Sequence, residues 1–542
     1  MPEGDWNSRH LVGRPFRLIE AGMAKFLMSM DMTSPWASTQ AGDKPSSRGP
    51  WSLRGSALAL CFVATVLCFL RLGTKSLWHD EAFSIALARL DLSALWTAVT
   101  KREAFSGLYY LILHPWVQVG DSETWARIPS AAFAAGSVYA FFVLSRRMFG
   151  AGTASVAGML MIVNAFFIQF AQEARGYSLV LLATIVSSYL FVKAVEDSTV
   201  SNWLKYAAVS GFAVYAHPFA SLVLVGHVAS LVARRHRPPW PHVVVGYGAI
   251  TLMVAPLVIL ILTVDPLQRP FASGASIGAL KSLFLNLTGG AGIPHGIVLL
   301  LAYLLACSLA LVVITRAFVT PRDAHRRWQY ALVLCWLGVP VTASFLASIA
   351  RPNLVPRYLI EVLPGLLLLA SIGVTRFLGR RLAVGGTVAL LALGLYSLIP
   401  YYSADYKNGE NWRAAVASVA SRAQPGDGII FLSHFGRQPF EYYLDSNPRA
   451  REELVPVYPS GRWTTYVPVL SESRLESTNQ AADTLESYER VWTVLLWFPN
   501  NHDDSRPIDR VLSRNYDEAY YADFGDEMHV RLSVRRPLLG NR

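Results

Sequence analysis

The stretch GSALALCFVATVLCFLRLGTKSLWHDE, residues 55–81, decides how the rest of the chain is read. Its first part is an apolar run long enough to cross a hydrocarbon core of roughly 30 Å as a helix. It ends in Leu77-Trp78-His79-Asp80-Glu81, two adjacent carboxylates placed where a hydrophobic helix must leave the bilayer. Apolar runs of the same kind recur as far as Pro400. Across 542 residues the chain is 53% hydrophobic and only 16% charged, against about 25% charged for a soluble domain. The composition therefore describes a polytopic α-helical membrane protein.

The net charge of +11 does not point to nucleic acid. Much of the excess sits in short clusters between apolar runs: Arg146-Arg147, Arg234-Arg235-His236-Arg237, Arg322 to Arg327 and Arg376 to Arg381. That is the bias of cytoplasmic loops in membrane proteins. Cys61, Cys68, Cys307 and Cys335 all lie inside apolar runs, without metal-ligand spacing or a disulfide framework, and read as small buried hydrophobes.

Run length and positive charge together set a topology. Residues 1–54 read as a disordered cytoplasmic tail without a cleavable signal peptide. Residues 55–401 read as a transmembrane domain of about eleven helices, at 55–72, 126–144, 151–169, 178–194, 203–216, 219–233, 242–263, 296–315, 330–350, 358–375 and 383–401. Leu108 to Gly120 is too short to span and reads as a juxtamembrane or re-entrant helix; residues 83–100 read as amphipathic segments along the interface. With each basic cluster inside, Asp80-Glu81, Gln172 to Tyr177, His217, the loop 264–295 and Arg351 to Tyr358 all fall outside. Beyond Pro400, helical and strand patterns alternate, among them Ile429 to Leu432, Leu454 to Tyr458, Val491 to Phe498 and His529 to Val534. Residues 402–542 therefore read as a small extracytoplasmic α/β domain. The whole places a multi-pass chain in the plasma membrane, N-terminus cytoplasmic and C-terminal domain outside.

Asp80 and Glu81 are the first candidates for chemistry. A carboxylate there could take a proton from an attacking hydroxyl, or the pair could help hold a divalent cation such as Mg or Mn through oxygen ligands; a solvated helix N-cap is the plain alternative. Glu173, Arg175 and Tyr177 stand at the outer end of a span, where ionisable groups are costly and mark function by default. A simple Glu-Arg pair with an interfacial Tyr would also account for them. Arg351 and Arg357, on an external loop, run against the positive-inside trend and ask for an anionic partner; Tyr358 follows, and Glu361 one helical turn on could neutralise Arg357. His217, ahead of Pro218, is a further candidate, though a lone histidine is more often a satisfied structural residue. Asp265, Arg269 and Lys281 belong to a loop that could cover a groove. Arg127 and Glu123 read as interfacial and structural.

These motifs in this order resemble the GT-C glycosyltransferases that use polyprenyl-phosphate sugars, in particular the protein O-mannosyltransferase and aminoarabinose-transferase superfamily (family 39). The resemblance covers roughly residues 55–400. It rests on Trp78-His79-Asp80-Glu81, Tyr109-Tyr110-Leu111, Arg127-Ile128-Pro129-Ser130, Gln172-Glu173-Ala174-Arg175-Gly176-Tyr177, and Arg357-Tyr358 ahead of a helix with Pro364. It implies Asp80 as catalytic base, with Glu81 adjacent. It also implies that Glu173 to Tyr177 line an external cavity and that Arg357-Tyr358 lie near a lipid phosphate. The aminoarabinose branch carries a Lys near the second helix, where Glu103-Ala104-Phe105-Ser106 has none.

The expected activity is inverting transfer of a sugar, mannose or another hexose or pentose, from a polyprenyl-phosphate donor to an extracytoplasmic acceptor hydroxyl on protein, lipid or polysaccharide. A polytopic transporter or flippase for a lipid-linked precursor is the alternative. It calls for paired broken helices in two halves, and no such pair stands out.

Overall fold

The computed structural model describes residues 51–101, 103–263, 274–319, 324–407, 409–463, 478–496 and 506–537. Of the expected tail 1–54, residues 1–50 lie outside the described residues, as do Arg102, Asp265, Arg269 and Arg322, while 51–54 open the helix Trp51–Phe69. The chain divides into two compact units. Among the described residues, one comprises 51–70, 128–261 and 274–403, and the other 71–127 and 404–537 together with 262–263.

Seven helices among the described residues are long and apolar enough to cross a membrane. They are Glu123–Phe149, Tyr177–Glu196, Trp240–Thr263, Gly296–Val319, His325–Ala350, Pro356–Phe377 and Arg380–Ser403. An eighth follows if Ala151–Ile162 and Ala165–Ala171, bent by 64°, count as one span. The chain is a polytopic helical membrane protein. The other expected runs are also helical, as Trp51–Phe69, Val200–Ala216 and Ala220–Ala233, which stand outside these long apolar helices. The exposed Leu252, Ile259, Leu262, Leu301 and Leu305 form an apolar surface of the kind that water disfavours and lipid accepts.

Local chemistry explains the irregular points. At the 64° bend Asn164 caps the second helix by accepting from the Phe167 N–H at 2.9 Å, while its own amide donates to the Leu287 carbonyl at 2.9 Å. Near the end of Pro356–Phe377 the backbone relaxes into a π turn, Gly373–Phe377. A Cβ on Gly373 would lie 1.9 Å from the Ala306 carbonyl oxygen, so glycine is what lets this segment approach Gly296–Val319 closely.

The second unit contains a five-stranded sheet. Its strands are β1 (Asp427–Phe431), β2 (Leu454–Tyr458), β3 (Arg490–Leu496), β4 (Tyr516–Asp523) and β5 (Met528–Arg535), in the order β2-β1-β3-β5-β4. β2, β1 and β3 run parallel, and β5 pairs antiparallel with both β3 and β4. Alternate strand residues fill two cores. Ile429, Phe431, Trp492 and Val494 meet Trp412, Val416 and Phe440 on one face; Ile430, Val457 and Val491 meet Leu485, Ile508 and Leu512 on the other. Residues 71–127 of the same unit supply His79–Arg89, Leu92–Lys101 and Gly107–Val117, three helices of 10 or 11 residues.

Candidate active site

The carboxylate pair opens the helix His79–Arg89. Trp78 occupies the N-cap position and makes no side-chain cap bond, since an indole has no acceptor oxygen for the helix's first N–H groups. Glu410 does this work from 331 residues away: its carboxylate accepts from the His79 backbone N–H at 3.0 Å, lies 2.6 Å from His79 Nδ1, and accepts from Trp412 Nε1 at 2.6 Å.

The two carboxylates of the pair have different surroundings. Glu81 is fully buried. Arg127 Nε and Nη2 each donate to one of its oxygens at 2.7 Å, and Lys407 Nζ stands 3.4 Å from Oε2. The rest of the Arg127 guanidinium donates to the carbonyls of Leu72, Lys75 and Ser76, so one buried cation neutralises Glu81 and pins the turn before it. The Asp80 side chain is 18% exposed, against 0% for Glu81. Its Oδ1 lies 3.5 Å from His79 Nε2, and its position in the first turn favours negative charge.

The loop 73–77 is held just as firmly. Tyr443 hydroxyl accepts from the Leu77 N–H at 2.7 Å and donates to Glu123. Arg413 donates to the Gly73 and Thr74 carbonyls and pairs with Glu123. Burial, then Glu123, push the Tyr443 hydroxyl far above its ordinary pKa, so it stays a donor. Burial, then Glu410, raise the Glu527 carboxyl, with His79 opposing.

The remaining candidates lie in the membrane unit. Ring centroids of Tyr177 and His217 are 6.3 Å apart, those of His217 and Tyr358 5.2 Å, and Phe219 joins Tyr358 at 5.6 Å. Two guanidinium groups flank these rings, Arg175 at 5.8 Å from Tyr177 and Arg357 at 5.8 Å from Tyr358. Glu173 is buried beside Arg175 in sequence and takes a bond from Gln169 at 3.2 Å. Gln172 is structural: its amide donates to the Cys68 and Leu70 carbonyls. The fold thus gathers Arg175, Tyr177, His217, Arg357 and Tyr358 into a basic and aromatic cluster, while Arg351 is exposed at the end of Ala324–Ala350. The expected Arg357–Glu361 neutralisation does not form. Pro356–Val362 is a 3₁₀ segment with three residues per turn, so positions four apart do not stack. Glu361 is fully buried, with no hydrogen-bond partner for its carboxyl oxygens among the described residues.

His79 as a contact of Asp80, and Lys407, Glu410 and Tyr443 as supports of the acidic loop, are additions that only the fold reveals. The cation reading of Asp80-Glu81 fits poorly, because Arg127 and Lys407 occupy the Glu81 oxygens that a metal would need. Among the described residues no group of three or more His, Cys, Asp or Glu could hold a metal ion.

Comparison with known proteins bears on this architecture. The family model for dolichyl-phosphate-mannose-protein mannosyltransferase matches residues 108–261. The fold matches ArnT from Cupriavidus metallidurans in the apo state, with TM-score 0.58 and 14% identity over 89% of this chain and 98% of that one. The chain thus resembles that structure in fold, and the mannosyltransferase family model over part of its length. ArnT from the same organism bound to undecaprenyl phosphate matches the fold at TM-score 0.55 and 15% identity, over 88% and 98% of the two chains. At such identities the likeness is one of fold. No curated protein matches the chain. The family-model match takes in Tyr109-Tyr110, Arg127, Glu173 to Tyr177 and His217, but stops short of Arg357.

Proposed function

We propose that this membrane protein is an inverting glycosyltransferase that uses a polyprenyl-phosphate sugar, mannose or another hexose or pentose, and glycosylates an extracytoplasmic hydroxyl with Asp80 as general base. One observation carries the reading. Of two adjacent carboxylates, Glu81 is sequestered and neutralised by Arg127 and Lys407, while Asp80 reaches solvent from a helix end braced by Glu410.

In the reaction the acceptor oxygen attacks the anomeric carbon as Asp80 takes its proton. The bond from that carbon to the lipid phosphate oxygen breaks, and the phosphate leaves with the electron pair. Arg175 and Arg357, each beside an aromatic ring, are the candidates to hold that phosphate through charge-assisted bonds; Tyr177, Tyr358 and His217 shape their surroundings, and Glu173 and Arg351 contribute charge. The Cupriavidus ArnT bound to undecaprenyl phosphate supports a lipid phosphate of that type as the donor's leaving group. In this reading the eleven apolar runs form the membrane domain of 55–401, and 402–542 is an extracytoplasmic domain.

The test incubates purified protein with labelled undecaprenyl-phosphate sugars and measures undecaprenyl phosphate release with acceptor present. A positioned base contributes roughly 10²- to 10⁴-fold, so Asp80→Asn should lose at least about 100-fold in turnover while inserting and melting like wild type. Full activity in Asp80→Asn sinks the base assignment.

A further inference from the structure

The acidic loop holds a chain of three side chains, Glu410, His79 and Asp80, that the base assignment alone does not use. Glu410 Oε1 lies 2.6 Å from His79 Nδ1, and His79 Nε2 lies 3.5 Å from Asp80 Oδ1, so the two ring nitrogens face two different carboxylates. The ring itself is held. Trp78 packs edge-on against it at 4.8 Å between centroids, Phe435 lies at 6.3 Å, and its side chain is only 7% exposed. Glu410 is held as well, 1% exposed, with its second oxygen taking the Trp412 indole and the His79 backbone N–H.

An ionised carboxylate can only accept. Both nitrogens face carboxylates, and the nearer one, Glu410 at 2.6 Å against 3.5 Å for Asp80, holds the proton of the neutral ring on Nδ1, leaving Nε2 to turn a lone pair toward Asp80. Once Asp80 has taken a proton from the acceptor hydroxyl, its O–H can donate to that lone pair, so the contact improves as the base step proceeds. A histidine whose second nitrogen is fixed by a carboxylate is held in one tautomer and one orientation. Glu527 stands beside Glu410 and His79; Lys407 turns to Glu81; from Arg437–Leu444, which packs on the same helix, Arg437 turns to Glu441 and Tyr443 to Glu123.

We infer that Glu410 is a positioning residue of the active site: it sets the tautomer and orientation of His79, which presents Nε2 to Asp80 and supports it as the base. The inference rests on the glycosyl-transfer reading above and adds to it a residue from the segment that leads into the sheet.

Glu410→Gln is the discriminating variant. Its amide oxygen can still accept from Trp412 and the His79 backbone, while its NH₂ now donates toward Nδ1 and reverses the tautomer. With the undecaprenyl-phosphate sugar that wild type turns over, kcat should fall about 10-fold or more while the donor KM stays within about twofold. Glu410→Asp, which keeps the charge, should recover part of the loss. In parallel, ¹⁵N-histidine spectra of the protein in nanodiscs should show an imidazole protonated on Nδ1. That signal, assigned to His79 by its absence in His79→Gln, should move to the Nε2-protonated form in Glu410→Gln. A wild type that releases no undecaprenyl phosphate from any donor overturns the transferase reading, and the inference with it. An active wild type with unchanged kcat in Glu410→Gln, an equal rise in KM that accounts for the loss, or an unchanged imidazole signal overturns the inference alone.

Discussion

Removing Arg127 should unfold the acidic loop, and the structure gives a size for the effect. Arg127→Met leaves the Glu81 carboxylate buried at 0% exposure without its two 2.7 Å donors and strips the Leu72, Lys75 and Ser76 carbonyls of theirs. Breaking a buried pair from one side costs about 3–5 kcal/mol, and each abandoned carbonyl up to about 1 kcal/mol more. Lys407, 3.4 Å from Oε2, offsets part of this, so about 4 kcal/mol is a fair lower figure. For a unit of this size, about 2–4 °C per kcal/mol converts that into a melting temperature lower by about 8–16 °C. The buried Trp78, Trp412 and Trp492 report the transition by fluorescence at a fixed scan rate. The control is Glu81→Leu combined with Arg127→Met. Replacing both members of a buried pair by apolar groups is often close to neutral, so the double variant should regain more than half of the lost degrees. An Arg127→Met protein melting within about 2 °C of wild type, or a double variant no better than the single, refutes the claim that Glu81 is a neutralised structural carboxylate.

Two further outcomes follow from the geometry. Arg175→Ala and Arg357→Ala should each raise the donor KM about 10-fold or more, because a charge-assisted bond to phosphate is worth about 1.5–3 kcal/mol, with kcat changing less; donor titration of both variants checks this, and unchanged KM in both removes the phosphate role. Glu527 carries a pH signature. Its folded pKa is raised, by burial and then Glu410, so its contribution to stability is fully present below the ordinary carboxylate pKa of about 4.3 and is lost as pH rises through the raised value. Glu527→Gln should therefore melt slightly higher than wild type at pH 7, by less than about 1 kcal/mol for a half-buried charge, with the gap closing near pH 4. A gap equal at both pH values contradicts the assignment.

Much of the membrane unit is legible in the sequence because apolar runs announce helices wherever lipid or protein will cover them. The bend at Asn164 and the π turn at Gly373 are not, since each depends on a neighbour far along the chain, Leu287 in one case and Ala306 in the other. In the sheet, Leu454–Tyr458 and Arg490–Leu496 stand out as apolar runs. β4, Tyr516–Asp523, gives no such signal: it is an edge strand with Asp517, Glu518 and Ala519 all exposed, so no buried face imposes alternation. Arg357 and Glu361 mislead for a related reason, because an i,i+4 pair presumes an α-helix and the backbone there is 3₁₀.

The carboxylate pair itself is legible, but the division of labour within it is not. That division depends on Arg127, 46 positions beyond Glu81, on Lys407, 326 positions beyond it, and on Glu410, 331 positions beyond His79. Sequence spacing carries no trace of such contacts. The fold uses them consistently, however. Glu81 is answered by Arg127 and Lys407, Glu123 by Arg413 and Tyr443, and Glu410 by the His79 and Trp412 donors. Three carboxylates of one unit are thus tied down by cations and donors on buried or loop-bracing positions. Asp80 differs: it stands in the first turn of a helix, where the dipole favours its charged form, its side chain reaches solvent, and its neighbour His79 is oriented by one of the three. Under the proposed function, this partly exposed carboxylate at the end of so much supporting structure is the group that accepts the proton.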